Sequence, residues 1–153
     1  MATNLVIILL LFGWFTPTYH VLKDDDTIYK EMNKLLLENQ DLAVKIMDKA
    51  GKPLSITIRN DEERWYVHYV LSRDLVLNKG NTENTVEFKM SYETYKQLVS
   101  EHDRFGSLNA IEEMIKLWKG GAIDIDAHSM TQNIALFMIK HRDIRWIMEF
   151  LTN

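Results

Sequence analysis

Three polar residues alternate in the C-terminal third of the chain: Asp124, Asp126 and His128. Side chains two positions apart in a β-strand lie on the same face, so a strand would group two carboxylates with an imidazole. Such a set can ligate a metal ion or exchange protons with a substrate. The same alternation is typical of a strand edge that faces solvent, and we favour that interpretation.

Other patterns for catalysis or metal binding are missing from the sequence. The five histidines show no His-x-x-x-His spacing for zinc, and the chain has no cysteine for thiolate ligands, disulfides or a nucleophile. There is no Gly-x-Ser-x-Gly elbow, Walker loop or dinucleotide fingerprint. The acidic run 24–26 lacks the spaced donors of a calcium loop and is better explained as a solvated linker and helix N-terminus. We expect a protein that is not an enzyme and that needs no metal or cofactor.

Composition is typical of one folded domain. The 153 residues carry a net charge of −4 and no long basic block, so we expect no nucleic-acid partner. Eight methionines and four tryptophans suit an adaptable apolar surface, although these residues more commonly fill cores.

The N-terminal 22 residues contain no Asp, Glu, Lys or Arg, and residues 5–15 read LVIILLLFGWF. A helix of this length just crosses the ~30 Å hydrocarbon core of a bilayer. We expect residues 1–22 to be a membrane anchor, single-pass or peripheral, with the domain on the cytoplasmic side. One alternative is a cleaved signal peptide, for which a basic start and a small-x-small site are missing. The other is a helix that packs in a groove of its own domain or of a partner.

Residues 23–153 form the expected domain, in which helical and strand periodicity alternate. A helix or helix pair is predicted from Thr27, as a cap, to about Lys49, and a helix capped by Ser91 is followed by a second one that ends before Gly120. One long helix is predicted from Met130 towards Leu151. Strands are predicted at residues 54–59, 65–71, 75–77, 85–90 and 122–127. This order predicts an α+β fold, with helices on one face of a five-stranded, mainly antiparallel sheet.

The second half of the chain carries a more specific pattern. Residues 85–98 read TVEFKMSYETYKQL, a helix ends in Trp-Lys-Gly-Gly at 118–121, and AIDIDA at 122–127 precedes an amphipathic helix. With this order the chain resembles the sterol carrier protein type two family over roughly residues 27–140. It departs from the family in having its glycine pair after the lysine and in having Ala127-His128 where a Gly-Asp turn is usual. The resemblance implies a curved five-stranded sheet under helices, an apolar tunnel that binds sterols, fatty acyl chains or other lipids, and no catalytic residues.

The residues best placed to line such a tunnel share one face of two strands and the apolar sides of two helical segments. Each of them, taken singly, is more commonly an ordinary core residue. The expected lipid-binding residues are Trp65, Val67, Tyr69, Val86, Phe88, Met90, Ile111, Met114, Ile115, Trp118, Ile134, Phe137 and Met138.

We therefore expect a membrane-tethered module that binds or transfers a lipid or fatty-acyl ligand. Two other functions remain open. The last helix is apolar on more than one face, as Phe137 and Trp146 show, so the chain could be an assembly protein that binds a second copy or a membrane-protein partner through it. An enzyme that acts on a lipid headgroup with Asp124, Asp126 and His128 is the third possibility.

Overall fold

The computed structural model describes residues 18–80 and 83–153, which contain six helices and six strands. In chain order these are β1 (His20–Val21), α1 (Asp26–Glu38), α2 (Gln40–Ala50), β2 (Leu54–Asn60), β3 (Trp65–Leu71), β4 (Leu77–Lys79), β5 (Val86–Ser91), α3 (Tyr92–Phe105), α4 (Ser107–Lys119), β6 (Ile123–Asp126), α5 (Met130–Lys140) and α6 (Ile144–Thr152). The predicted α+β class is confirmed.

The sheet is mixed, with the order β1–β3–β2–β5–β6, and β4 pairs with β3 outside this path. Strands β2 and β3 form an antiparallel hairpin, whereas β5 runs parallel to β2 and places Phe88 opposite Ile56. The described residues form six strands instead of the predicted five, and two of the five strand pairs are parallel, so the five-stranded, mainly antiparallel sheet is not confirmed. The two-residue strand β1 is too short to show a period, and periodicity does not reveal that β5 returns to the far side of β2.

Most helices pack on one face of this sheet. Helix α3 contacts β2 and β5, helix α4 contacts β6, and helix α6 packs on α2 and α4. The core lies between these layers, where Ile58, Tyr69, Ile115 and Ile147 have at most 1% of their surface exposed. Strand residues on the buried face alternate with polar residues on the other face, as the period of two predicts.

Local signals in the sequence define several of the helix ends. The Ser91 side chain accepts a 3.1 Å hydrogen bond from the Thr94 amide, which confirms the predicted cap of α3. Helix α2 ends at Gly51, whose φ of 67° is in the left-handed region that favours glycine. The first helix begins two residues earlier than predicted, at Asp26, and the cap position is Asp25 instead of Thr27.

The long final helix of the prediction is in fact two helices, α5 and α6. The side chain of Asp143 accepts a 2.8 Å hydrogen bond from the Trp146 amide and so starts α6. The Lys119 ammonium group donates to the carbonyl groups of Lys140 (2.5 Å) and Arg142 (2.6 Å), which stabilises the break between the helices. The apolar periodicity continues on both sides of the break, so the sequence pattern did not reveal that Asp143 starts a new helix.

Most of the expected membrane anchor, residues 1–17, lies outside the described residues. The last part of the 1–22 segment is described, and there His20–Val21 forms strand β1 beside Trp65 and Tyr66 instead of a helix. Within residues 18–80 and 83–153, the helices are all too short or too polar to cross a bilayer.

Candidate ligand-binding cavity

A cavity of about 330 Å³ lies between the α1–α2 helix pair and the inner face of the sheet, and α3 and α4 close its sides. We call it the main cavity. Its lining is almost entirely apolar and includes Leu36 of α1, Ile46 of α2, Ile56 of β2, Phe88 of β5 and Met114 of α4. The main cavity is partly open to solvent, so it is a pocket and not a closed void in the core. A space of this size is at the lower end of the ~300–1,000 Å³ typical of ligand pockets.

The helix pair α1–α2 supplies one wall of the main cavity because its apolar side chains recur at the helical period. Met32, Leu35 and Leu36 are three or four residues apart on α1, so they share one face. Ala43 and Ile46 contribute the corresponding face of α2. None of these residues was among the expected lining residues, since an apolar stripe at helical spacing indicates only that a face turns inward.

Three polar residues in the cavity wall direct their polar atoms away from the cavity, to hydrogen-bond partners elsewhere in the protein. The hydroxyl group of Tyr69 donates to buried Asp25, and that of Tyr95 donates to Glu31 at 2.7 Å. Burial, followed by these hydrogen bonds to carboxylates, raises the pKa of both tyrosines, so both stay neutral. Ser55 pairs with the Thr85 hydroxyl group at 2.5 Å.

Asp25 stays charged although only 3% of its surface is exposed. Burial opposes its ionisation, but hydrogen bonds from Lys79 and Tyr69 outweigh that effect and hold the pKa of Asp25 below its ordinary value. These two hydrogen bonds tie the loop before α1 to strands β3 and β4. They thereby hold one end of the α1–α2 helix pair over the cavity.

The other end of the main cavity has a polar cluster of Asn39, His102 and Ser107, which all line it. Asn39 Nδ2 lies 3.1 Å from His102 Nε2 and donates to the Leu35 carbonyl group at 2.7 Å. The Ser107 hydroxyl group donates to Asn39 Oδ1 and lies 3.5 Å from His102 Nε2. The cluster therefore joins the α1–α2 junction to the α3–α4 junction.

This polar cluster was not among the features predicted from the sequence. A signal was available, because Asn39 occupies a position where the helical period from Leu35 and Leu36 to Leu42 would place an apolar residue. A polar residue within an apolar stripe must find a partner inside the protein, and here it finds His102 and Ser107.

The thirteen expected lining residues divide among four environments. The main cavity includes five of them: Tyr69, Phe88, Met90, Ile111 and Met114. A second cavity of about 120 Å³, towards α5 and α6, is lined by Val86, Ile115 and Trp118, and it also touches Phe88 and Met114. Trp65 and Val67 are buried core residues that line neither cavity, and Ile134, Phe137 and Met138 lie on the surface.

Helix α5 explains the last group. Its inward face carries Leu136 and Ile139, which line the second cavity, whereas Ile134, Phe137 and Met138 are 53%, 63% and 64% exposed. Both faces are apolar, so the sequence pattern could not show which of them turns towards the body. The expectation that the Phe137 side of α5 closes a tunnel is therefore wrong.

The side chains of Asp124, Asp126 and His128 share the outer face of the sheet, where Lys89 forms ion pairs with both carboxylates and His128 Nδ1 lies 3.5 Å from Asp126 Oδ2. Strand β6 ends at Asp126, and His128 follows in a turn with a φ of 51°. Asp126 accepts hydrogen bonds from the His128 amide (2.8 Å) and from Asn133 Nδ2 (3.0 Å), and these, in that order, lower its pKa. Asp124 is exposed and lies 3.7 Å from Lys89. In the part of the chain that the structure describes, no group of three or more His, Asp or Glu side chains is arranged to hold a metal ion.

A polar network occupies the outer face of the sheet. The Thr57 hydroxyl group donates to Glu87 and lies 2.6 Å from His68 Nδ1, while His128 Nε2 lies 3.2 Å from Glu87 Oε1. Because Thr57 has one proton and gives it to Glu87, His68 Nδ1 must be the donor in the second contact. Burial lowers the pKa of His68, and the charge of Glu87 opposes this change. We call the residues Thr57, His68, Glu87 and His128 the outer network.

No family model, curated protein or solved structure matches this chain. The likeness to the sterol carrier protein type two family therefore rests on the sequence patterns alone. The main cavity is the feature of the described residues from which a function can be argued.

Proposed function

We propose that the protein is a lipid-binding or lipid-transfer module that holds an apolar ligand in the main cavity. The observation that carries this proposal is an apolar space of about 330 Å³ between the helix pair and the sheet, with the polar side chains of Asn39, His102 and Ser107 clustered in its lining. Lipids have the same division, with a long apolar body and one polar end. The resemblance to a lipid-binding family supports the same conclusion.

The size of the cavity restricts the ligand. A volume near the lower limit for ligand pockets suits one acyl chain or a compact ring system, and it is too small for a phospholipid with two chains. Each square ångström of apolar surface removed from water contributes about 25 cal/mol, so a chain that fills the cavity gains most of its binding free energy from the lining.

The apolar residues 1–17, which precede strand β1 in the sequence, would add a membrane tether to this function. A tether raises the effective concentration of the domain at the bilayer without any new contact, so a lipid would exchange over a short distance. The sequence alone supports this part of the proposal, and the side of the membrane is proposed to be the cytoplasmic one.

The experiment that tests the proposal begins with the full chain purified from cells. We expect mass spectrometry of an organic extract to detect a lipid in stoichiometric amount, and a fluorescent acyl probe to bind the delipidated protein. A ligand at about 100 times its Kd would stabilise the fold by about 2.7 kcal/mol, which a thermal melt would detect as a rise in Tm. If no lipid co-purifies and no probe binds, the proposal is wrong.

A matched pair of substitutions locates the binding. Ala43→Phe adds a large side chain on the α2 wall of the main cavity, whereas Ala135→Phe makes the same change at an exposed position of α5. We expect Ala43→Phe to weaken probe binding at least tenfold and Ala135→Phe to leave it unchanged. Equal binding by both variants would place the probe outside the main cavity.

The exposed face of α5 favours a second candidate function, the assembly of this protein with a membrane partner or a second copy. Met130, Ile134, Phe137 and Met138 follow the helical period and are all more than half exposed. Contiguous apolar surface of this kind commonly marks an interaction site. Sedimentation of the full chain in mild detergent tests this function: we expect Phe137→Asp to dissociate any complex and to leave probe binding intact.

A further inference from the structure

The polar cluster at the end of the main cavity has a specific hydrogen-bonding capacity. Both protons of the Asn39 amide group are in use, one by the Leu35 carbonyl group and one by His102 Nε2. Because a carbonyl group can only accept, its 2.7 Å contact with Nδ2 fixes the orientation of the Asn39 amide. The single proton of the Ser107 hydroxyl group is also in use, since it is donated to Asn39 Oδ1.

What remains free on the side chains of Asn39 and Ser107 is therefore accepting capacity. Because His102 Nε2 accepts from Asn39, the proton of the neutral ring is on Nδ1, which has no hydrogen-bond partner among the described residues and faces Asp103 Oδ1 at 3.6 Å. Asn39 Oδ1 has a second lone pair beyond the one that Ser107 occupies, and the Ser107 oxygen has two. A ligand group that brings a proton can satisfy these oxygens. A carboxylate brings no proton, so its two acceptor oxygens would face the acceptor oxygens of Asn39 and Ser107 without forming a hydrogen bond.

The charges around the cluster oppose an anionic ligand as well. Glu38 Oε2 lies 3.9 Å from His102 Nε2, and Asp103 Oδ1 lies 3.6 Å from His102 Nδ1. The N-terminus of α4, at Ser107, is equivalent to only about half a positive charge. Lys34 lies 4.0 Å from the other oxygen of Glu38, but its side chain is largely exposed, so it supplies no buried positive charge for an anionic ligand.

A cationic ligand would gain from these carboxylates, but both of them are partly exposed and screened by water. To enter the apolar cavity the cation would have to lose its own hydration, which costs far more than burying a neutral hydroxyl group that keeps a hydrogen bond. A neutral donor is therefore the best match to the cluster.

We infer that the main cavity takes a lipid whose polar end is an uncharged hydroxyl group, which donates to Asn39 and Ser107, and that it disfavours free fatty acids. The inference rests on the proposed function, and it adds the chemical class of the ligand. Long-chain alcohols and other apolar bodies with one hydroxyl end belong to this class.

Three probes with the same chain test the inference on the delipidated full chain at pH 8: 1-dodecanol, methyl dodecanoate and dodecanoate. The alcohol donates a hydrogen bond, the ester only accepts, and the carboxylate only accepts and is charged. From displacement of a fluorescent acyl probe we expect dodecanol to bind about tenfold more tightly than dodecanoate, with the ester between them. Dodecanoate binding as tightly as dodecanol, or more tightly, would overturn the inference.

Two substitutions show whether Asn39 is responsible for the preference for the alcohol. Asn39→Leu keeps the size of the side chain and removes its oxygen, so we expect dodecanol to lose about tenfold in affinity and the ester to lose less than twofold. Gln40→Leu makes the same kind of change at the neighbouring exposed position and should alter neither affinity. A preference that persists unchanged in Asn39→Leu would contradict the assignment of the hydroxyl group to this residue.

The outcomes separate this inference from the proposed function. If none of the three probes binds, the proposed function fails and the inference fails with it. If all three bind with equal affinity, the cavity binds lipids and only the inference is wrong. Should Asn39→Leu not fold, the order of affinities in the wild-type chain still decides the question.

Discussion

The two faces of the sheet are built by the same strands but differ in polarity and in packing. On β5, Phe88 and Met90 turn inward and line the main cavity, while Glu87, the residue before Phe88, turns outward into the outer network. The inward side chains are apolar and leave space among them. Glu87 is polar, yet it is only 5% exposed because Thr57, His128 and Lys89 surround it.

This difference indicates where a ligand can be accommodated. The polar groups of the outer network already bond to one another, so a new ligand would have to break hydrogen bonds in order to make its own. The lining of the main cavity lacks van der Waals contacts that a ligand can supply without displacing protein atoms. The outer face therefore stabilises the fold, and the inner face is where we propose that a ligand binds.

The largest expected effect comes from two isoleucines of β2 that face the same layer. Ile58 is completely buried in the filled part of the core, whereas Ile56 lines the main cavity and is partly exposed. We expect Ile58→Ala to lower the free energy of unfolding by about 4 kcal/mol, because it opens a new void, and Ile56→Ala to lower it by about 2 kcal/mol or less. Urea denaturation of the delipidated chain measures both.

The Ile56→Ala and Ile58→Ala variants should also differ in how much an added ligand raises their Tm. Truncating Ile56 removes contacts to the ligand as well, so the rise in Tm on adding probe should be smaller in Ile56→Ala than in wild type. In Ile58→Ala that rise should be unchanged. Equal losses of stability in the two variants without ligand would mean that the inner face is packed uniformly, and the contrast between its filled and hollow parts would be wrong.

The second prediction concerns the outer network. Glu87→Ala leaves the Thr57 hydroxyl group and His128 without their carboxylate, and we expect it to cost about 1–3 kcal/mol of stability while probe affinity stays within twofold. Asp124→Ala, at an exposed position beside Lys89, should change stability by less than about 0.5 kcal/mol. Loss of probe binding in a folded Glu87→Ala protein would show that the outer face takes part in binding after all.

Sequence patterns predicted the elements better than their assembly. Alternating residues defined β2 and β3, and Ser91 and Gly51 marked helix ends, because these signals act over a few neighbouring residues. The parallel pairing of β5 with β2 depends on residues about 30 positions apart, and no local period records it. Asp143, which starts α6, was an overlooked local signal.

The cavity itself could be predicted only in part. Periodicity shows that Phe88 and Met114 turn inward, but whether inward side chains meet or leave a space depends on the distance between layers. That distance is set by long-range contacts such as the Asp25–Tyr69 hydrogen bond and the Asn39–Ser107 contact. Helix α5 shows the converse limit, because a helix with two apolar faces does not reveal which one is covered.

The smallest expected effect is a pH dependence confined to the outer face. Burial holds the pKa of His68 below its ordinary value of 6.5 in the folded protein, so the unfolded chain takes up the proton first as the pH falls. The contribution of His68 to stability is therefore complete above pH 6.5 and declines as the pH drops from 6.5 towards the lower folded pKa. Asp25 and Asp126, whose pKa values also lie below their ordinary value of 3.8, lose their contributions in a separate, more acidic range.

Urea denaturation between pH 7.5 and 5 measures this effect, with His68→Gln as the variant that lacks the titrating group. We expect the stability of the variant to fall less steeply over this range than that of the wild type, while the order of probe affinities is the same in both proteins at pH 7.5. An NMR titration that found the pKa of His68 above 6.5 would reverse the sign of the predicted slope. It would also show that the charge of Glu87, and not burial, has the larger effect on the pKa of His68. The outer network would then favour the protonated form of His68.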